Sequence, residues 1–186
     1  GIAHRLDKDT SGAIVLARTS EALRGLQSLL KAHDVERQYL AVVEGTPRNE
    51  SGTIDVPLQD RGTIRRGVAR PGSSQSLTAI THYRVVEKFG PVASLVACWL
   101  ETGRTHQIRL HMAELGHPVV GDRVYRPPGR PRSKAHFRRQ ALHAQSLGFT
   151  HPITGQDIRV EAPLPQDLAA LTTDLRNRFG IPGAGG

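Results

Sequence analysis

An α+β fold is predicted for this chain, a largely antiparallel mixed sheet with flanking helices. Three observations predict it. Strand-like runs outnumber helical ones along the sequence. Most consecutive strand runs are joined by short connections, which suit antiparallel neighbours rather than crossovers. The length of 186 residues suits one domain with a sizeable core.

The elements are read in order. GAIVLAR, residues 12–18, reads as a short strand. SEALRGLQSLLKAH, residues 20–33, reads as a helix: Ser20 is placed to cap it, and Ala22, Leu23, Leu26, Leu29 and Leu30 recur at helical spacing. RQYLAVVEG, residues 37–45, is a second strand ending at Gly45, and GTIDVPL, residues 52–58, is a short strand whose Pro57 suits an edge. TAITHYRVVEKF and PVASLVACWLET form a hairpin pair joined near Gly90. HQIRLHMAEL, residues 106–115, is a helix with Thr105 as its cap, Gly116 as its stop, and Ile108, Met112 and Leu115 as its core stripe. ALHAQSLGF and DIRVEAP supply later strands. A last helix begins near Pro165 and carries Leu168, Leu171, Leu175 and Phe179 at helical spacing. Residues 181–186 are expected to form a disordered tail.

Composition narrows the function classes. The hydrophobic content of 38% suits a folded domain. The single cysteine, Cys98, allows no internal disulfide, which suits a reducing compartment such as the cytoplasm. It lies in the apolar run LVACWL, where burial is expected. No apolar run is long enough to span a bilayer as a helix, and no membrane association is expected. The net charge of +8 points to a polyanionic partner. Residues 123–139, RVYRPPGRPRSKAHFRR, hold seven Lys or Arg and no acid, and RGTIRRGVAR at 61–70 is a second basic stretch. Two basic loops favour phosphate contacts, with Arg130, Arg132 and Lys134 as candidates. Aromatic residues are only 4% of the chain, too few for extensive base stacking.

HRLDKDTSG, residues 4–12, sets acids among bases. A calcium loop starting at Asp7 would need a bidentate acid at its twelfth position, which is Arg18. A phosphatase aspartate would follow an apolar strand, whereas Ala3, His4, Arg5 and Leu6 precede Asp7. Asp9, Thr10, Ser11 and Gly12 read as an Asx-type turn. Asp7 is left with cations beside it, which favour a charged carboxylate able to act as nucleophile or base.

ETGRTHQIRLHMAELGHPVVGD, residues 101–122, is the second dense cluster. Arg104 precedes the helix and Arg109 sits in its first turn, where a cation opposes the helix dipole by roughly 0.3–1 kcal/mol. A nearby anion would offset that: an RNA phosphate, or a carboxylate such as Asp7. His106, His111 and His117 have no common zinc spacing and are expected to make ordinary hydrogen bonds.

Together HRLDKDTSG, RQYLAVVEG, ETGRTHQIRLHMAELGHPVVGD and RQALHAQSLGFTHPITG resemble the RluA-type pseudouridine synthase family, in order and spacing. The large-subunit ribosomal RNA group is the most similar. The resemblance implies a pseudouridine synthase catalytic domain over residues 1–180. It implies an isomerase that detaches a uracil, rotates it and rejoins it through carbon-5, with neither metal nor organic cofactor. Asp7 then matches the catalytic aspartate, Tyr39 the tyrosine placed against the target base, and Arg109 the basic residue that pairs with the aspartate. Arg5 matches a residue that opens the RNA and holds the flipped nucleotide, Arg104 is a further RNA contact, and Leu110 is a neighbour of the base. Ribosomal RNA is the expected partner, with transfer RNA as the alternative, and the chain is expected to act as a monomer. Family members normally carry further catalytic-domain sequence before the first motif, so an N-terminal truncation is expected. Two other functions compete: a non-catalytic RNA-binding module derived from a synthase, and a hydrolase using Asp7 and Asp9.

Overall fold

The computed structural model describes residues 1–60, 66–69, 76–129 and 133–180. In chain order the elements are β1 (Ser11–Gly12), α1 (Ser20–Ala32), β2 (Glu36–Glu44), β3 (Ser51–Asp55), β4 (Leu58–Asp60), β5 (Arg66–Val68), β6 (Ser76–Leu77), β7 (Ile80–Phe89) and β8 (Ala93–Leu100). They continue as α2 (Gln107–Glu114), β9 (Leu142–Thr150), β10 (Asp157–Glu161) and α3 (Gln166–Phe179). Among the described residues, a seven-stranded sheet runs β1-β9-β2-β8-β7-β3, with β10 also on β9. Every pairing in it is antiparallel except the short β1–β9 contact. A second sheet of three strands runs β5-β4-β6. The architecture is the expected α+β mixed sheet.

The main core gathers β2, β7 and β8 with α2 and α3, through Val42, Val96, Met112, Leu168 and Leu175 among others. Cys98 lies in it, fully buried, and burial pushes its thiol up to about 12. A smaller cluster seats Leu26 of α1 against Val35, Leu147 and Phe149. The first helix follows the apolar spacing read from the sequence. Its cap is Thr19 rather than Ser20, with Thr19 Oγ1 accepting from Ala22 N–H at 3.1 Å. Such a cap is worth about 1 kcal/mol.

Three expectations are corrected. GAIVLAR is not a strand along its length: Gly12 pairs with β9, Leu16 makes one isolated antiparallel bridge with Ile2, and Ile14 and Leu16 are exposed. The segment leaves the sheet after Ala13 N–H donates to the Ala144 carbonyl at 2.8 Å. GTIDVPL divides, because Pro57 separates edge strand β3 from β4, which belongs to the smaller sheet. The second helix is capped by His106 in a left-handed conformation, not by Thr105, and its Leu115 ends exposed while Ile108 and Met112 are buried. Residues 181–186, Arg130 and Arg132 lie outside the described residues, as does most of the 61–70 stretch.

Candidate active site

Asp7 stands on the loop leading into β1. Thr10 N–H donates to the Asp7 carbonyl at 2.9 Å, closing a turn in which Asp9 adopts φ 69°. That is the region short acids tolerate, so Asp9 shapes the turn. The RQALHAQ segment fastens this loop. Arg139 donates to the Asp9 carbonyl at 3.0 Å, Gln140 Nε2 to Thr10 Oγ1 at 3.1 Å, and His143 Nδ1 shares a 3.0 Å bond with Ser11 Oγ. Gly12 lets β1 close on β9: its φ is +123°, and a Cβ there would stand 2.2 Å from the Ala144 carbonyl oxygen.

A cleft of about 550 Å³ opens beside Asp7, lined among others by His4, Arg5, Tyr39, Leu100, Arg104 and Ile108. That volume lies within the roughly 300–1,000 Å³ of small-ligand clefts. Arg5 and Arg104 are exposed, and Arg104 Nε is steadied by the Thr78 carbonyl at 3.0 Å. Burial drives the Tyr39 phenol above its ordinary range; Arg37 opposes this and Asp7 adds to it.

Helix α2 delivers Arg109. Its Nη1 lies 3.4 Å from Asp7 Oδ2, which is the pairing expected from the sequence. Its stronger partner is Asp122: Nε meets Oδ2 at 2.6 Å and Nη2 meets Oδ1 at 3.0 Å. Asp122 also accepts from Val124 N–H at 2.8 Å and Tyr125 N–H at 3.1 Å. Burial disfavours its charge, but Arg109 and these amides outweigh burial and hold the carboxyl below the ordinary aspartate range. The anion that offsets the helix dipole at Arg109 is therefore chiefly Asp122. The Tyr125 ring completes the seat, 5.0 Å from the guanidinium carbon.

His106, Gln107 and Tyr125 also belong to the site, and sequence reasoning gave none of them a site role. His106 places Nε2 4.0 Å from Asp7 Oδ1 and shares a 2.6 Å bond with the Tyr125 hydroxyl. Its φ of 60° is a conformation costing about 1–3 kcal/mol for a non-glycine residue, and such strain gathers at functional sites. Gln107 is buried and braces the motif, accepting from Thr102 Oγ1 at 2.8 Å and Arg104 N–H at 2.9 Å. His111 bonds Thr81 Oγ1 at 2.8 Å and the Val56 carbonyl at 2.9 Å, and His117 meets the Glu44 carbonyl at 2.9 Å.

Leu110 does not reach the cleft. It packs against Leu58 and Ala79, in a cluster with Val68 and Tyr125. Two residues along a helix turn the side chain about 200°, so Ile108 lines the cleft and Leu110 points away. Lys134 is exposed on the basic loop and is not part of the cleft lining. Among the described residues of that loop, Arg126 pairs with Glu44 at 3.1 Å and Arg139 with Asp167 at 2.8 Å.

The family model for RNA pseudouridylate synthase matches residues 1–114. The chain belongs to this family, in its RluA-type branch. A ribosomal large subunit pseudouridine synthase D of Zymomonas mobilis is 43% identical over 178 residues, covering 92% of this chain and 55% of that protein. One from Xanthomonas campestris is 46% identical over 187 residues, with 95% and 55% covered. The chain thus spans about half the length of the curated relatives it matches. Among solved structures, human RNA pseudouridylate synthase domain containing 1 superposes with a TM-score of 0.72 at 29% identity, covering 94% of this chain and 79% of that one. Human RNA pseudouridylate synthase domain containing 4 gives 0.81 at 24% identity, with 94% and 75% covered, a likeness of fold.

Proposed function

We propose that this chain carries the catalytic centre of an RNA uridine isomerase that makes pseudouridine, with ribosomal RNA as substrate. The observation that carries the proposal is the position of Asp7: it lies in a cleft with Tyr39, Arg5 and Arg104, and Arg109 approaches it at 3.4 Å. The names of the relatives, which are ribosomal large subunit synthases, support the choice of RNA.

In the proposed reaction an extruded uridine enters the cleft, since a base within a helix cannot be reached. An Asp7 carboxylate oxygen attacks C1′ of the ribose. The C1′–N1 bond breaks and its electron pair passes to the uracil. The ring turns, C5 bonds to C1′, and the aspartate leaves. C5 gives up its proton and N1 gains one, so the product is an isomer. Arg109 orients Asp7, and Tyr39 presents its ring to the base. Arg5 and Arg104, exposed at the cleft, meet phosphates.

The test is tritium release from [5-³H]uridine in ribosomal and transfer RNA transcripts, using full-length protein. Release by the wild type and its loss in Asp7→Asn, with RNA binding retained, is expected. Full activity in Asp7→Asn would remove the aspartate from the mechanism. Tight binding without release from any RNA would instead make this a binding module.

A further inference from the structure

Arg37 is a buried cation with little to hold. It lies on β2 two residues before Tyr39, on the same face of the strand, and both line the cleft. It is only 8% exposed. Its Nη2 donates to the Glu101 carbonyl at 3.2 Å, and its Nε has no hydrogen-bond partner. Among the described residues no carboxylate pairs with it, although Arg109, Arg139, Arg159 and Arg176 are all paired with acids.

The chain has made room for this group. A Cβ on Gly103 would stand 2.4 Å from Arg37 Nη1, so the glycine of ETGRT leaves the space the guanidinium occupies. Burial pulls the proton affinity of Arg37 below its ordinary value, with Tyr39 opposing. A guanidinium nonetheless stays charged in a protein. A buried charge without a counter-ion is costly, and a fold keeps one where a ligand supplies the missing partner.

Depth decides which part of an RNA that is. Arg5, Lys31 and Arg104 line the cleft and are exposed, so backbone phosphates would meet these cations first. The base is what enters, and Arg37 lies next to the tyrosine it would meet. We propose that Arg37 donates to the carbonyl oxygens of the entering uracil and stabilises the negative charge that gathers on the ring when the C1′–N1 bond breaks. The electron pair of that bond is then shared among N1, O2 and O4, and no proton has to move at that step. A fixed donor aimed where charge develops accelerates the step without tightening substrate binding to the same extent. This inference rests on the isomerase reading above.

The test uses full-length protein and a large-subunit ribosomal RNA transcript carrying [5-³H]uridine. Three variants are compared: Arg37→Gln, Arg37→Lys and Arg37→Met. Arg37→Gln is expected to lower the single-turnover rate by roughly 10²–10³-fold with the RNA Kd changed less than about threefold. Arg37→Lys should recover part of the rate. Arg37→Met should melt at or above the wild-type temperature, because it removes an unpaired buried charge. Two results overturn the inference while leaving the isomerase intact. One is a Kd that rises in step with the lost rate and a salt slope smaller by about one, which would make Arg37 a phosphate ligand. The other is a lowered melting temperature in both Arg37→Gln and Arg37→Met with a rate loss matching the unfolded fraction, which would make it structural. If the wild type binds the transcript and releases no tritium, the isomerase reading fails and this inference falls with it.

Discussion

Arg109 clasps both oxygens of Asp122, at 2.6 and 3.0 Å, and leaves only Nη1 to reach Asp7 at 3.4 Å. The Asp122 side chain is 1% exposed and the Asp7 side chain 15%. The tight, buried fork fixes the guanidinium, and the longer contact faces the cleft. Asp122 is therefore a positioning residue: it sets Arg109, and Arg109 sets Asp7. Asp122 is itself placed from β2, because Val120 N–H donates to the Val42 carbonyl at 2.8 Å and Glu44 N–H to the Pro118 carbonyl at 2.9 Å.

Asp122→Ala leaves a buried guanidinium without its main partner and two loop amides without an acceptor. Breaking one side of such a pair costs about 3–5 kcal/mol. Urea denaturation should show a loss of that size. Asp122→Asn keeps the shape and an acceptor oxygen, so it should cost less, yet lower the rate because the fork loses its charge. A rate unchanged in folded Asp122→Asn would break the chain of orientation from Asp122 to Asp7.

Stability should fall as the pH drops below about 6.5. Burial lowers the proton affinities of His4, His106 and His111 in the folded state; Arg37 adds to this at His4, Asp7 opposes it at His106, and the bond to the Val56 carbonyl opposes it at His111. An unfolded histidine titrates near pH 6.5. Below that value the unfolded chain takes up protons that the folded chain refuses, so the contribution present above pH 6.5 is lost toward each lowered folded-state value. Asp122 acts in the same direction at lower pH: its folded-state value is depressed, so its contribution is present above about pH 3.9 and lost in acid. Urea midpoints should hold from pH 8 to 7 and decline from 6.5 to 5. A midpoint constant down to pH 5 would contradict this.

The fold was legible wherever apolar spacing carried it. Leu26 of α1 and Leu168, Leu171 and Leu175 of α3 are buried as their spacing requires, and β7 and β8 pair as the hairpin read around Gly90. GAIVLAR misled because an apolar run has strand propensity whether or not a sheet edge is in reach; the chain leaves the edge of β9 after Ala13, Leu16 keeps only an isolated bridge to Ile2, and Ile14 and Leu16 face outward. Asp7, Tyr39 and Arg109 enter the candidate site through the family motifs, and the structure sets Asp7 and Tyr39 in one cleft with Arg109 3.4 Å from Asp7. Their spacing alone could not bring together groups as far apart in sequence as Asp7 and Arg109. Asp122 was on view as a lone acid in an otherwise apolar VVGD run, and a buried acid needs a cation. What sequence could not tell was that Arg109 would be that cation. The left-handed His106 left no mark at all, since the conformation follows from the turn around it and not from its side chain.

RNA binding should weaken with salt, and by less when the basic loop is neutralised. Arg130, Arg132 and Lys134 changed together to Ala should lower the slope of log Kd against log salt by roughly 2, at about 0.7–0.9 for each phosphate no longer neutralised. Arg104→Ala should lower it by about one more, since Arg104 is exposed at the cleft and its Nε is held by the Thr78 carbonyl. An unchanged slope in the triple variant would show that the loop stays clear of the RNA.

Tyr39 separates two roles that one ring could combine, a platform for the base and a base for the C5 proton. Burial raises the phenol above its ordinary value of about 10, and although Arg37 opposes this, the net direction is upward. Between pH 7 and 9 the phenol therefore keeps its proton and can donate a hydrogen bond but has no anionic oxygen to take one. Tyr39→Ala should remove the platform and weaken binding of a target-containing RNA by about 1–3 kcal/mol. Tyr39→Phe should keep that affinity and lower the single-turnover rate, leaving the pH dependence of the rate between 7 and 9 as in the wild type. A wild-type rate that climbs tenfold per pH unit over that range, and a flat profile in Tyr39→Phe, would instead identify a phenolate as the base and show that substrate binding overrides the effect of burial.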